Sequence, residues 1–380
     1  RLFVVSQDVE ALMGSKKPRV KNGSDRNGSR ANRSAMAAFP FQLYQDKGDW
    51  YLDESSGCYA FDVSDGTLEL EAGGAKARFF CDAIGTTPLQ LPPDQPVYPR
   101  AKERLEVKSS EIMKEIQSED NNGALFVLPS QLNGAEYTSH EKHAIVHSLE
   151  EYMRDNTGGP RGQLAVHPGA GQFIIDNAAE NVKKPQGINA IDQLLQVEVI
   201  KEFLELKNGY LAIKDPKSKE IEEEVLARID QHLHTLRPLV MEDIPASGLT
   251  PNKGRRAAEL THKVGLVYAS AVPVQSYMNR GRDAGSKEFQ AEIAGKILIA
   301  QYYGALQHAA RSIPGGARRT VYLMPLGGGV FNNPWDKIAS GMAKAMEMLD
   351  EESFAKLDVK ALAWEGSRSE KDTLERLLRP

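Results

Sequence analysis

The sequence predicts an α/β fold with helices packed on a largely parallel sheet. Three observations lead there. From about residue 100 onward, short apolar runs alternate with segments of helical period. The run "VGLVYASAV" (Val264–Val272) reads as a buried strand, followed by a long helical stripe and then a second apolar run, "TVYLMPL". That second run ends in Gly327-Gly328-Gly329 before another helical segment, and strand–helix alternation of this kind is the signature of layered α/β domains.

The chain has 380 residues, enough for two domains or one large domain with additions, and 41% are hydrophobic, enough for a sizeable core. The net charge of -5 argues against general nucleic-acid binding, which draws on a basic surplus. No run approaches about 18 apolar residues, so no transmembrane helix and no membrane partner is expected. Cys58 and Cys81 are the two cysteines. They fit a cytoplasmic or other reducing intracellular compartment, with one disulfide between them left open. The chain begins at Arg1, as a trimmed or processed chain would, and no secretory signal can be read.

Taken in order, residues 1–35 read as an extended arm or linker. Its segment "GSKKPRVKNGSDRNGSRANRS" is basic and rich in Gly, Ser and Asn, without the aromatics that base stacking uses. Residues 36–100 read as a small β-rich N-terminal module. The pieces "FPFQLY", "DWYLDE", "CYAFDV", "TLELEA" and "KARFFCDAI" are divided by turn residues such as Lys47-Gly48-Asp49 and Asp65-Gly66, and "LPPDQPVYP" looks like an extended connector.

Residues 101–380 form the α/β domain. A helix is expected over Lys102–Ser118, a strand over Ala124–Pro129, and a helix from about Ser139 to Asp155. Another helix should run from Pro168 to about Val182. "KEFLELKNGYLAIK" predicts a hairpin turning at Asn208-Gly209, where both positions tolerate φ > 0. Ser218–Leu236 reads as a charged amphipathic helix. Lys287–Ser312 reads as a long helix with Phe289, Ile293, Ile297, Ala300 and Gly304 on one stripe. Asn333 is expected to cap a helix over Pro334–Leu349, with Pro334 at its first position.

Three loops should leave the carboxyl edge of the sheet, where open α/β sheets bind ligands. They are Ser130–Ser139, Pro273–Asp283 and the glycine loop. Bare backbone N–H groups at Gly327–Gly329, beside a helix N-terminus, would suit an anion. No lysine follows the glycines, so an ATP-hydrolysing P-loop is disfavoured. A tight strand-to-helix connection without a ligand is the plainer alternative.

This combination resembles a macrodomain, the fold that binds ADP-ribose, and is most similar to its microbial-type poly(ADP-ribose) glycohydrolase branch. "VYASAVPV", a long helix and the loop "LGGGVFNNP" carry the resemblance over about residues 264–349, and it extends less fully over 124–182. It implies a macrodomain-like three-layer arrangement, a mixed and largely parallel sheet with helices on both faces. It also implies ADP-ribose or a related nucleotide diphosphate as ligand. On the resemblance, Gly327, Gly328, Gly329, Val330 and Phe331 would wrap the diphosphate, with Asn332 completing the loop and Phe331 near the distal ribose. Asn133 would reach the ribose hydroxyls, and Gly158-Gly159 would stand for a second Gly-rich loop.

The glycohydrolases carry Gln-Glu-Glu after that second loop; this sequence has none, and only Gln163 stands at a comparable place. Cleaving a glycosidic bond needs a positioned carboxylic acid. Glu136, in the loop that holds Asn133, is the candidate catalytic acid, and Asp176 reads as a helix-surface residue. Hydrolysis of an ADP-ribosyl linkage is therefore open, while ligand binding is the firmer expectation. The alternative is a non-catalytic interaction protein that keeps the fold and meets protein partners through its N-terminal module and arm.

No cofactor is called for. His140, His143 and His147 share one helical face, but 140 and 147 lie about 10 Å apart along it, so at most the pair 143 and 147 would share a metal. Ordinary helix histidines are the simpler reading. Arg280 and Arg282 suit either a phosphate clamp or a solvated loop.

Overall fold

The computed structural model describes residues 43–46, 49–52, 60–62, 67–70, 75–136, 149–178, 187–248, 259–274, 285–313 and 317–378. The basic arm, Cys58, the three histidines and the Arg280–Arg282 pair fall outside the described residues.

The first strands follow the sequence reading. β1 (Leu43–Asp46) and β2 (Asp49–Leu52) pair with each other alone. β3 (Ala60–Asp62), β4 (Thr67–Leu70) and β5 (Ala75–Phe80) form an antiparallel meander. Through β5 this meander joins the main sheet, where Phe80, Phe79 and Arg78 pair with Val240, Met241 and Glu242.

The stretch from residue 99 to 118 departs from the expected helix. It is a short helix α1 (Pro99–Arg104), a strand β6 (Leu105–Ser110) and a short helix α2 (Ile112–Gln117). Leu105 and Val107 are buried in alternation with exposed neighbours, the period of a strand. The cause is long-range: β6 pairs in parallel with a strand some 250 residues later in the chain, from Leu105 opposite Val359 to Ser110 opposite Trp364. Tertiary pairing overrides local helical preference here.

The core of the domain follows. β7 (Leu125–Pro129) leads through α3 (Gly158–Leu164) and α4 (Pro168–Asn177) to α5 (Glu198–Phe203). α4 ends five residues short of the expected Val182. The hairpin of β8 (Leu204–Lys207) and β9 (Tyr210–Ile213) turns at Asn208 (φ 48°) and Gly209 (φ 77°), as the Asn-Gly pair requires. α6 (Lys219–His232) is capped by Ser218, whose Oγ accepts the Ile221 N–H. Then come β10 (Leu239–Ser247) and β11 (Glu259–Ala269). The long helix α7 (Lys287–Arg311) is capped by Ser286 through the Phe289 N–H. β12 (Arg319–Leu323), α8 (Trp335–Glu347), α9 (Glu351–Ala355), β13 (Leu357–Trp364) and α10 (Arg368–Leu378) complete the chain.

Nine of the described strands form one sheet in the order β3-β4-β5-β10-β11-β7-β12-β13-β6. The half from β11 to β6 is parallel, and the remainder is antiparallel. Residues alternate between two cores along each central strand. Phe126 and Leu128 face one core with Leu266, Tyr268, Phe173 and Ile174. Leu125 and Val127 face the other with Val267, Val321, Ile338 and Met342. Helices therefore cover both faces, the three-layer α/β arrangement. Each such aliphatic side chain taken from water contributes about 1.5–3 kcal/mol. No described helix is long and apolar enough to cross a membrane.

A buried ionic cluster ties the amino ends of the central strands. Arg319, first residue of β12, meets the Glu242 carboxylate of β10 in a two-pronged bond at 2.6 and 2.7 Å. Its Nε donates to the Gly123 carbonyl, just before β7. His308 of α7 bonds the same carboxylate at 2.9 Å. Burial opposes the Glu242 charge, but the hydrogen bonds from His308 and Arg319 and the guanidinium charge outweigh it, holding the carboxyl at about 2. A folded value below the ordinary 4.5 contributes stability that is full above that value. That contribution is lost as pH falls through the interval toward 2. Urea unfolding at pH 7 and at pH 3 is expected to show this loss. Arg319→Met should cost about 3–5 kcal/mol at pH 7, because it strands a buried carboxylate. Replacing Glu242 by Leu in the same chain should recover much of it.

Candidate active site

β11, β7 and β12 run in parallel side by side and end together, with Ala269 opposite Pro129 and Leu323 opposite Val127. The first residues of the three loops expected on one carboxyl edge, 130–136, 273–274 and 324–333, do leave it together; 137–139 and 275–283 lie outside the described residues. They are also laced to one another. Gln301 of α7 accepts the Ser270 N–H at 2.7 Å and donates back to the Ser270 carbonyl, which fixes the loop after β11. The Tyr302 hydroxyl donates to the Met324 carbonyl at 2.7 Å and accepts the Leu326 N–H at 3.1 Å. It thereby sets the start of the glycine loop. Val274 N–H donates to the Phe331 carbonyl at 2.9 Å, joining the two loops.

Within the glycine loop, Gly327 adopts φ 83°, and a Cβ there would lie 2.5 Å from the Ala271 Cβ. Gly328 lies under the Trp335 ring, 2.9 Å from where its Cβ would be. Gly329 and Val330 face solvent, Val330 at 75% exposure, and a Cβ on Gly329 would meet nothing. The N–H groups of Gly329 and Val330 bond to no protein acceptor among the described residues. Phe331 sets its ring edge-on to Tyr210, with centroids 5.7 Å apart. Asn332 takes φ 54° and is exposed.

Asn333 does not cap the helix. The cap is Pro334, without a side-chain bond, and the helix begins at Trp335. The Asn333 amide instead turns inward and donates to the Val272 carbonyl at 2.9 Å. The proline fixes an extended backbone one residue later than expected, and the amide is used to close the loop.

Gly158-Gly159 opens α3 against the same edge. Gly158 sits beside the Met324 thioether at the root of the glycine loop. A Cβ on Gly159 would overlap the Pro129 carbonyl oxygen, and would lie 3.5 Å from Glu136 Oε2. Glu136 and the two glycine segments are therefore neighbours along one edge, linked by Gly159 and Met324. Asn133 is placed otherwise. It is wholly buried under the hairpin turn, with Oδ1 accepting the Ala135 N–H at 3.2 Å and Gly209 packed against it. It shapes the loop that carries Glu136. Asp176 accepts from Gln172 along α4.

Glu136 is half-buried, and its backbone N–H donates to the Tyr152 hydroxyl at 2.7 Å. Burial raises its carboxyl well above the ordinary range, and the Asp155 charge adds to the rise. No cation pairs with it among the described residues. That environment favours the protonated form of the carboxyl, the state a departing oxygen would need. Sequence reasoning missed Tyr152 and Tyr268 beside it: Tyr152 lies in no motif, and Tyr268 was read only as part of the strand run "VYASAVPV", which folding brings to Glu136 from a distant part of the chain. Cys81 is a free thiol pushed by burial up to about 11, which argues against a nucleophile. No group of three or more metal-ligating side chains occurs among the described residues.

The two exposed-edge glycines separate shape from strain. Gly327→Ala is expected to destabilise the fold by about 1–3 kcal/mol, because alanine resists the left-handed backbone and meets Ala271. Gly329→Ala should change stability by less than about 0.5 kcal/mol. Denaturant midpoints of the two variants decide the comparison.

No protein-family model matches the sequence, and no curated protein matches it. Solved structures do. Two structures of poly(ADP-ribose) glycohydrolase from Thermomonospora curvata share 14% and 16% identity, with TM-scores of 0.38 and 0.39. In both cases 85% of this chain and 93% of the other are covered. Poly(ADP-ribose) glycohydrolase from Deinococcus radiodurans in complex with ADP-ribose shares 14% identity at a TM-score of 0.34, covering 74% of this chain and 88% of that one. At these TM-scores and identities the likeness fixes no residue correspondence and no role.

Proposed function

We propose that this chain binds ADP-ribose, or a related nucleotide diphosphate, at the loop Gly327–Asn332. The observation that carries the reading is the pair of solvent-facing N–H groups at Gly329 and Val330. Among the described residues they have no protein partner, and they lie at the carboxyl edge of a parallel sheet. A diphosphate supplies the acceptors such a cradle lacks. The macrodomain-like order of strand, long helix, strand and "GGGVF" supports the same ligand. Gly158-Gly159 borders the site, and Phe331 offers an aromatic edge beside Tyr210 for a sugar.

Hydrolysis of an ADP-ribosyl linkage is the finer part of the proposal. Glu136 is its acid. The carboxyl is held protonated by burial and by Asp155, and it stands next to the Gly159 backbone. It would protonate the departing oxygen.

A second reading has its own observation. Val330 is one of two large hydrophobic residues strongly exposed among those described, and Trp335 covers Gly328. A loop of that composition also suits a protein contact, with no ligand and no chemistry.

Calorimetric titration with ADP-ribose separates the two. Wild type is expected to bind, and Gly329→Glu, which adds a carboxylate in open space without disturbing packing, should weaken binding more than about tenfold. Glu136→Gln should retain binding and lose any hydrolysis by at least about a hundredfold. A folded wild type that binds no ADP-ribose compound removes the proposal and leaves the protein-contact reading.

A further inference from the structure

A cavity of about 10 Å³ lies beside Glu136, lined among others by Ser130, Glu136, Tyr152, Gln163 and Tyr268. That is about the room one water molecule needs. One wall carries an unmet demand. Gln163 is 2% exposed, and its Nε2 has no hydrogen-bond partner among the described residues. A buried donor without an acceptor is strongly disfavoured.

The direction of the amide is set from behind. The Tyr268 hydroxyl donates to Gln163 Oε1 at 2.6 Å. Burial raises the Tyr268 phenol, so the hydroxyl keeps its proton and keeps donating. Gly171 makes room for this amide: a Cβ there would lie 2.8 Å from Nε2. With Oε1 engaged, the N–H groups of Gln163 remain for the cavity that Glu136 also lines.

We propose that one water bound in this cavity accepts from Gln163 Nε2 and donates to the Glu136 carboxyl, making Gln163 and Tyr268 positioning residues for the acid. Its catalytic meaning rests on the function proposed above; the hydrogen-bond chain itself does not. A donor aimed at the carboxyl favours the ionised form, against burial and Asp155. The groups facing Glu136 are then Asp155 and Tyr152 from the segment after 149, Gln163 from α3 and Tyr268 from β11.

The test titrates Glu136 directly, by carbon-detected NMR of glutamate carboxyls, with Glu136→Gln identifying its signal. Gln163→Met keeps the volume and removes the donor. Its Glu136 midpoint is expected to rise by about one pH unit. Tyr268→Phe frees the amide to turn and should raise the midpoint by less; it carries the test if Gln163→Met does not fold. A high-resolution crystal structure should show a water within hydrogen-bond reach of both Gln163 Nε2 and Glu136. Unchanged midpoints in the folded variants, or no such water, overturn the proposal. ADP-ribose titration of the same samples tells the two readings apart, since a midpoint shift in a protein that binds no ADP-ribose removes the function and leaves the chain standing.

Discussion

The site depends on how closely α3 is laid against the end of the central strand. Gly159 meets the Pro129 carbonyl with no room for a side chain between them, and Gly162 meets Leu128 in the same way. Any larger residue at either place would lift α3 off β7. Lifting it would separate Glu136 from Gly159 and open the cavity that Gln163 lines. It would also part Gly158 from Met324, where the glycine loop begins. Close backbone approach, more than any single polar bond, is what assembles this edge.

The two ends of the parallel sheet do different work. At the amino end, Arg319 joins β12 to Glu242 of β10 and to the Gly123 carbonyl before β7. Gly265 of β11 leaves space there that a Cβ would take from the Glu242 carboxylate and the guanidinium. An ion pair of this kind is compensated: its charges are mutually satisfied and its group stays ionised. At the carboxyl end, Glu136 has no such partner among the described residues and is pushed the other way by burial and by Asp155. Two glutamates at opposite ends of one sheet are thus pushed in opposite directions by their surroundings, Glu242 down by a cation and three hydrogen bonds that outweigh its burial, Glu136 up by burial and by Asp155. Perturbation of the second kind is the sort that collects at functional sites.

The parts of this architecture with local causes were legible. Asn208-Gly209, Ser218, Ser286 and the apolar runs at 125–129 and 319–323 each carry their own short-range signal, and the structure follows them. So do the starts of the three polar loops on one edge, since a parallel sheet forces them there. The failures share a cause at longer range. "LEVKSS" looked helical until β13 paired with it. Asn333 has every property of a helix cap, yet the Val272 carbonyl claims its amide. Asn133 looked available in an Asn-Gly loop, and the tip of a hairpin some 75 residues later buries it. At the candidate site, the position of Glu136 in that loop was legible, whereas Tyr152 and Tyr268 reach it only through folding.

On the proposed reading, the electrostatics of the edge are coupled. A diphosphate at Gly329 and Val330 would add negative charge near a carboxyl that burial and Asp155 already press toward its protonated form. Coulombic interaction across a partly desolvated edge falls slowly with distance. Ligand and proton would then bind cooperatively, each raising the affinity for the other, as linkage requires. The absence of a described cation beside Glu136 becomes intelligible in these terms. A lysine or arginine there would bind the phosphates more tightly but would pull the proton from the acid. Neutral N–H groups hold the anion without that effect, and a glycine loop supplies them with nothing attached.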